Sequence, residues 1–309
     1  MISASIATHG LTRRYGSEMA LKDVTLTVER GSVYALVGPN GAGKTTLIQL
    51  IMNLQVATAG SAEVLGLASG EVRGRVLTRI GYVSETQEMP DSMTVGGFLN
   101  FLRPFYPTWD CGLERQLLDD FALPMERELR HLSRGMRMKA AFVSTLSYRP
   151  ELLVLDEPFS GLDPLVRDEL IQGLLDRVGE TTLFLSSHDL AEIESFASHV
   201  GYLEQGNLLF SEEMSALSGR FRQVECRIDS AGATARDLPR AWLEVEYAGT
   251  RVRFKDSAFT TEGKAVAEIR GIFPGASEIV FEPLSLRSIF LANARTNRDL
   301  RAKDLGAAR

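Results

Sequence analysis

The chain has 309 residues, 44% of them apolar, which is enough for one large domain plus a small one or for two medium ones. Its net charge of −6 divides into −10 over residues 1–219 (18 basic, 28 acidic) and +4 over 220–309 (16 basic, 12 acidic), an acidic body that argues against nucleic acid as main partner. No segment approaches the ~20 apolar residues that cross a bilayer, and Cys111 and Cys226 stand alone, fitting no metal-ligand spacing and according with a reducing compartment.

In chain order, Met1–Ile6 lacks a charged region and a long apolar core, so no export signal is expected. Ser5–Thr8 and Ala20–Val28 alternate apolar and polar residues, the pattern of antiparallel strands. Val33–Val37 is a buried-strand run, and Leu47–Met52 reads as helix. Between them lies Gly38-Pro39-Asn40-Gly41-Ala42-Gly43-Lys44-Thr45-Thr46, the spacing G-x-x-x-x-G-K-[ST]. Its glycines let backbone N–H groups converge on phosphates, and the helix N-terminus adds favourable partial charge. Lys44 can reach β- and γ-phosphates, and the Thr45 hydroxyl can ligate Mg²⁺. A nucleoside triphosphate is therefore the expected ligand.

From about 92 to 148 the period becomes helical, through Leu113, Leu117, Leu118 and Phe121, and again through Met138, Phe142, Val143 and Leu146. Glu151–Asp156 is a buried strand ending in acid, followed by a helix from Pro164 to about Val178 and a buried strand at Thr182–Ser187. Strand–helix–strand order predicts an α/β fold with a parallel sheet and crossover helices. Strand-like runs at Val224–Ile228, Trp242–Tyr247, Arg251–Phe254 and Glu278–Phe281, with a helix near Phe259–Ile269, predict a small α+β appendage. The expected division is 1–219, with a helical subdomain at about 88–150, and 220–309.

Asp156 and Glu157 end the second buried strand. A strand-end Asp beside a phosphate loop is suited to hold Mg²⁺, and the adjacent carboxylate to polarise an attacking water.

Further residues carry a resemblance. Leu132-Ser133-Arg134-Gly135-Met136 lies ahead of a helix and some twenty residues before the Asp156 strand. Ser160-Gly161-Leu162-Asp163 follows that strand, and His188 ends the next. Over roughly residues 2–218 the chain resembles the ATP-binding cassette (ABC) ATPases. The likeness implies that LSRGM is the signature, with Ser133 and Gly135 on the γ-phosphate, and that Ser160–Asp163 is the D-loop. It also implies that His188 is the switch histidine and that Tyr15 stacks on adenine. Family members sandwich two ATP molecules head to tail between two cassettes, so Lys44 of one copy and Ser133 of the other would share a nucleotide. Two departures stand out. Arg134 and Met136 replace the family's Gly and Gln in the signature. Glu85, after Ile80-Gly81-Tyr82-Val83, occupies the place of the Mg²⁺-contacting Q-loop Gln, with Gln87 the alternative occupant. A carboxylate can also ligate Mg²⁺.

The aromatic and proline-rich run from Phe101 to Asp110 either receives a short helix of a membrane subunit or caps the helical subdomain's own core. Arg295, Arg298, Arg301 and Lys303 lie on an expected C-terminal helix, read as anionic-lipid contact or as a solvated tail. The finer resemblance is to bacterial cassettes of the antibiotic-peptide-export and acetoin-utilisation type. It implies a Mg²⁺-dependent ATPase on the cytoplasmic face of the membrane that pairs with a second cassette and energises separate transmembrane permease subunits, with export the favoured direction and no nucleic acid. The alternative is a soluble ABC ATPase acting on ribosome or DNA. Such proteins usually carry tandem cassettes or a long inserted coiled coil, whereas only 88 residues separate Lys44 from Ser133 here.

Overall fold

Alternation in the first thirty residues produces a long hairpin in the computed structural model, which describes residues 4–176, 181–229 and 238–292. β1 (Ala4–Tyr15) pairs antiparallel with β2 (Glu18–Glu29). The register slips repeatedly after Thr8, so the strand outruns its visible alternation and carries Tyr15 as its last residue. β3 (Val33–Val37) is buried at every position and leads through the phosphate-loop sequence into α1 (Lys44–Ile51). β4 (Ala59–Val64) and β5 (Leu67–Ala68) extend the hairpin into a sheet of order β2-β1-β4-β5.

β6 (Ile80–Val83) precedes three helices, α2 (Val95–Leu102), α3 (Cys111–Asp120) and α4 (Arg134–Leu146). Thr94, Asp110 and Ser133 cap them, each side chain accepting a backbone N–H of the first turn. β7 (Leu152–Leu155), α5 (Pro164–Leu175), β8 (Thr182–Ser187), α6 (Leu190–Ile193), β9 (His199–Glu204) and β10 (Asn207–Glu213) follow. The main sheet has the order β10-β9-β3-β8-β7-β6, and β9, β3, β8, β7 and β6 run parallel. The α/β class and the crossover helices are as the sequence leads one to expect. Parallel strands covered on both faces need continuous apolar runs. β3, β7 and β8 are accordingly buried throughout. Val37 stands opposite Ser187 and Leu155 opposite Leu185, so the carboxyl ends of the three strands lie on one edge, the edge at which open α/β sheets bind ligands.

The chain divides into two units, residues 1–211 and 212–309, a break eight residues before the change in charge at 219. In the second unit α7 (Met214–Arg220) precedes β11 (Arg222–Arg227), β12 (Trp242–Ala248), β13 (Arg251–Asp256), α8 (Glu262–Ile272) and β14 (Ser277–Pro283). These strands form an antiparallel sheet of order β12-β13-β11-β14. Val224, Trp242, Phe254, Ile269 and Phe273 build its separate core. Arg295, Arg298, Arg301 and Lys303 lie outside the described residues.

Candidate active site

The phosphate loop is dictated locally. Gly43 adopts φ 109°, a conformation that a Cβ would strain, and a Cβ there would also lie 2.6 Å from the Ala20 carbonyl oxygen. A Cβ on Gly38 would lie 2.1 Å from the Leu203 carbonyl oxygen. Both glycines are therefore needed for the chain to turn from β3 into α1. Lys44, the first residue of α1, is buried. Its Nζ donates to the carbonyl oxygens of Gly38 (2.6 Å) and Pro39 (3.2 Å). The same ammonium lies 3.1 Å from Glu157 Oε1. That ion pair lacks hydrogen-bond alignment, and Oε1 stays a buried acceptor without a hydrogen-bond partner.

One strand end brings both acids in, and the next brings the histidine. Asp156 directly follows β7, and its Oδ1 accepts from the Thr45 hydroxyl (3.2 Å) and the Ser186 hydroxyl (2.7 Å). Glu157 has φ 50°, left-handed backbone that costs a residue with a Cβ about 1–2 kcal/mol. Its N–H donates to Ser186 Oγ at 2.9 Å, and its Oε2 accepts from His188 Nδ1 at 2.7 Å. His188 sits just past β8, whose last residue, Ser187, donates through its hydroxyl to Glu192 Oε2 at 3.0 Å. Glu192 in turn pairs with Arg167 of α5 at 3.4 Å. Ser186 and Glu192 went unmarked at the level of sequence, because a serine within a buried strand and a glutamate on a short helix carry no spacing signal.

A cleft of about 420 Å³ opens over these groups, lined by Tyr15, Glu18, Ala20, residues 40–46, Glu85 and Glu157. Tyr15 stands at its rim, 40% exposed. The Arg13 guanidinium lies 4.6 Å from the Tyr15 ring centroid, and the Tyr15 hydroxyl donates to Gln55 Oε1. Gln55 is itself held by Gln49 at 2.7 Å. The ring is thereby braced by residues that no motif announces. Glu85 lines this cleft, whereas Gln87 turns onto its own loop and accepts from Ser84 N–H at 3.1 Å. Among the described residues no cluster of three or more His, Cys, Asp or Glu could hold a metal. The oxygen donors of Thr45, Asp156 and Glu85 suit a small hard cation completed by phosphate and water rather than an all-protein cage.

Residues 21–160 match the model of the ABC transporter family. A bacitracin transport ATP-binding protein, BcrA of Enterococcus faecalis, is 31% identical over 71% of this chain and 72% of its own. The chain belongs to the ABC transporter ATP-binding proteins. A daunorubicin resistance ATP-binding protein, DrrA3 of Streptomyces coeruleorubidus, is 32% identical over 80% of this chain and 81% of its own. Since 80% of 309 residues exceeds the 211 of the first unit, that likeness runs into the second unit. A solved ATP-binding subunit of an ABC transporter superposes with a TM-score of 0.64 at 28% identity, covering 70% of this chain and 92% of that one. The ABC ATPase fold and ATP-hydrolysing activity come with the family, and the resemblance to antibiotic-export cassettes agrees with these relatives.

Other cassette motifs stand apart from the cleft. Ser133 caps α4, accepting from Met136 N–H at 3.3 Å, with Gly135 in the first turn. Asp163 caps α5, accepting from Leu165 N–H at 2.9 Å. None of the three lines the cleft. Arg134 is half exposed and reaches Glu85 at 3.9 Å, and its guanidinium packs over Gly161. The aromatic run divides between its two readings. Tyr106 stacks on Tyr148 (centroids 3.9 Å apart), and Trp109 Nε1 donates to buried Glu114 at 2.7 Å. Phe101 and Phe105 instead pair with each other at 5.5 Å, and both are exposed. No helix among the described residues is long and apolar enough to cross a membrane.

Proposed function

We propose that this cassette energises an exporter. Two cassettes enclose two ATP molecules head to tail and drive separate transmembrane permease subunits from the cytoplasmic face of the membrane. One observation carries the reading. Lys44, Thr45, Asp156, Glu157 and His188 converge beside one cleft, while Ser133, Gly135 and Asp163 cap or open helices outside it. A γ-phosphate in the cleft is then half solvated until another cassette's α4 N-terminus covers it. The drug-related names of BcrA and DrrA3 support export.

In the hydrolytic step, a water oxygen attacks the γ-phosphorus and the bond to the β-bridging oxygen breaks, leaving ADP and phosphate. Glu157 takes the water proton on Oε1, the oxygen that Lys44 releases, while His188 holds the other carboxylate oxygen and reaches the γ-phosphate. Lys44 turns from Glu157 to the phosphate oxygens, and backbone N–H groups of residues 40–46 cradle the phosphates. Tyr15 stacks on the base. Thr45, Asp156 and Glu85 hold Mg²⁺, which when bound offsets negative charge on the phosphates. Phe101 and Phe105 offer aromatic anchors to a permease segment.

Tagged Glu157→Gln protein, trapped with Mg-ATP and purified from detergent-solubilised native membranes, tests the reading by mass spectrometry. A stoichiometric polytopic protein is the expected companion, and a second cassette sequence would make the pair heterotypic. Ribosomal or DNA-bound material without a membrane protein would overturn it in favour of a soluble ATPase.

A further inference from the structure

Ser186 is the penultimate residue of β8 and is fully buried between apolar strands. A hydroxyl there is costly unless it is bonded. It makes two bonds of fixed sense. Glu157 N–H can only donate, so Ser186 Oγ accepts from it at 2.9 Å. Its own hydroxyl hydrogen is then given to Asp156 Oδ1, which accepts at 2.7 Å. One atom from a neighbouring strand thus orients both acids of the site, although 29 and 30 residues of chain separate it from them.

Glu157 is where such a constraint is needed. Its left-handed backbone persists only where surroundings over-determine it. Ser160 N–H donates to its carbonyl at 3.2 Å, and Lys44 and His188 hold its carboxylate. Ser186 supplies the side-chain bond to its N–H, and so sets where the side chain leaves the strand. A small apolar residue would fill the same space without this effect.

We propose that Ser186 is a positioning residue for ATP hydrolysis, locking the Asp156–Glu157 peptide so that the Glu157 carboxylate meets the attacking water. This rests on the reading of Glu157 as proton acceptor. Asp156 keeps its bond from the Thr45 hydroxyl without Ser186, and the phosphate loop and Tyr15 are untouched, so the role falls on kcat more than on nucleotide binding.

The test uses the purified full-length chain with Mg-ATP. Ser186→Ala should lower kcat on the order of 10–100-fold, the scale of a misplaced catalytic group, with ATP affinity changed less than about threefold. Ser186→Thr, which keeps the hydroxyl, should restore most of the loss. In a Glu157→Gln background, adding Ser186→Ala should cost less than about threefold more, because residues that act through one group are not additive. Unchanged turnover in Ser186→Ala, a Thr variant as slow as the Ala variant, or losses that multiply in full with Glu157→Gln would each overturn the proposal. Should Ser186→Ala fail to fold, Ser186→Cys fills the site with a slightly larger group and a weaker donor. A kcat loss at intact ATP affinity then supports the role, and a loss of affinity overturns it. Full turnover in Glu157→Gln alone would instead sink the proton-acceptor reading itself.

Discussion

Two regions of this molecule gather acids and bases around a polar hollow, and they do so in opposite ways. In the nucleotide cleft the charges arrive from three separate strand ends and a loop, and Glu157 Oε1 is left buried without a hydrogen-bond partner. On the polar face of the C-terminal sheet, Gln223, Glu244, Glu246, Arg253, Lys255 and Ser288 line a hollow of about 250 Å³. There the ladder itself supplies partners. Glu246 stands opposite Arg253, Lys255 pairs with Glu244, and Arg251 pairs with Glu225 at 3.3 Å. Acids and bases of both signs line each of them. What distinguishes the cleft is convergence from distant segments on one buried carboxylate, with Lys44 and His188 brought to Glu157 from separate parts of the chain, and that points to chemistry rather than to cross-strand pairing.

The sharpest way to break the contrast is at Glu157. Glu157→Gln should leave ATP binding intact and lower kcat by about 10²–10⁴-fold. Equilibrium binding and steady-state turnover on the same preparation decide it, and a normal rate would remove the distinction between the two hollows. Next in size is Tyr15→Ala. A stacked base is worth about 1–3 kcal/mol, so ATP affinity should fall about 5–150-fold while kcat at saturating ATP holds. A kcat loss at constant affinity would reassign the ring.

The cleft was also the more legible region, for a physical reason. The phosphate loop is contiguous, so spacing alone describes it, and Asp156-Glu157 follows an apolar run that can only be a buried strand. Ser186 and Gln55 act across long stretches of chain, and nothing local to them records the partner. The bracing of Tyr15 is invisible for a further reason, since the register slips in β1 erase the alternation that would have carried the strand to Tyr15. The aromatic run looked uniform because composition does not separate Tyr106 and Trp109, packed at Tyr148, from Phe101 and Phe105, exposed on the surface. The alignment of Ile80–Val83 puts Glu85 in the Q-loop place with Gln87 as the alternative, and the Gln87 side chain accepts from Ser84 N–H on its own loop.

A third test lies on the C-terminal side. Lys255 and Glu244 are 15% and 19% exposed, so Lys255→Met removes a largely covered ion pair. That should cost about 1–3 kcal/mol of stability and leave ATP turnover of the folded protein unchanged. Thermal melting and a turnover assay below the transition measure the two effects. A loss of turnover without a loss of stability would mean that the second hollow also acts on the chemistry.

The smallest expected effect separates the regions by pH. In the first unit Asp110 is held below the usual carboxylate range, first by the Leu113 backbone N–H and then by Arg149, and Glu151 is held low by Arg79. A depressed carboxylate contributes stability above its unfolded pKa, and loses it as pH falls through the folded value. In the second unit burial pushes Asp256 up, against a partial offset from the Ala258 N–H. A raised folded pKa means that the folded state binds the proton more tightly, so stability declines as pH rises from about 4 toward that folded value. Mild acidification therefore favours the C-terminal sheet through Asp256 at a pH where Asp110 and Glu151 remain ionised. Below the unfolded carboxylate range the first unit begins to lose what those two contribute. Hydrogen exchange of β13, corrected for intrinsic rates, should show protection rising as pH falls through the raised Asp256 value toward about 4. Asp256→Asn should flatten that rise, because it removes the group whose proton uptake drives it. A rise that survives the substitution would assign the pH response of the sheet to another group and leave the two regions alike in acid.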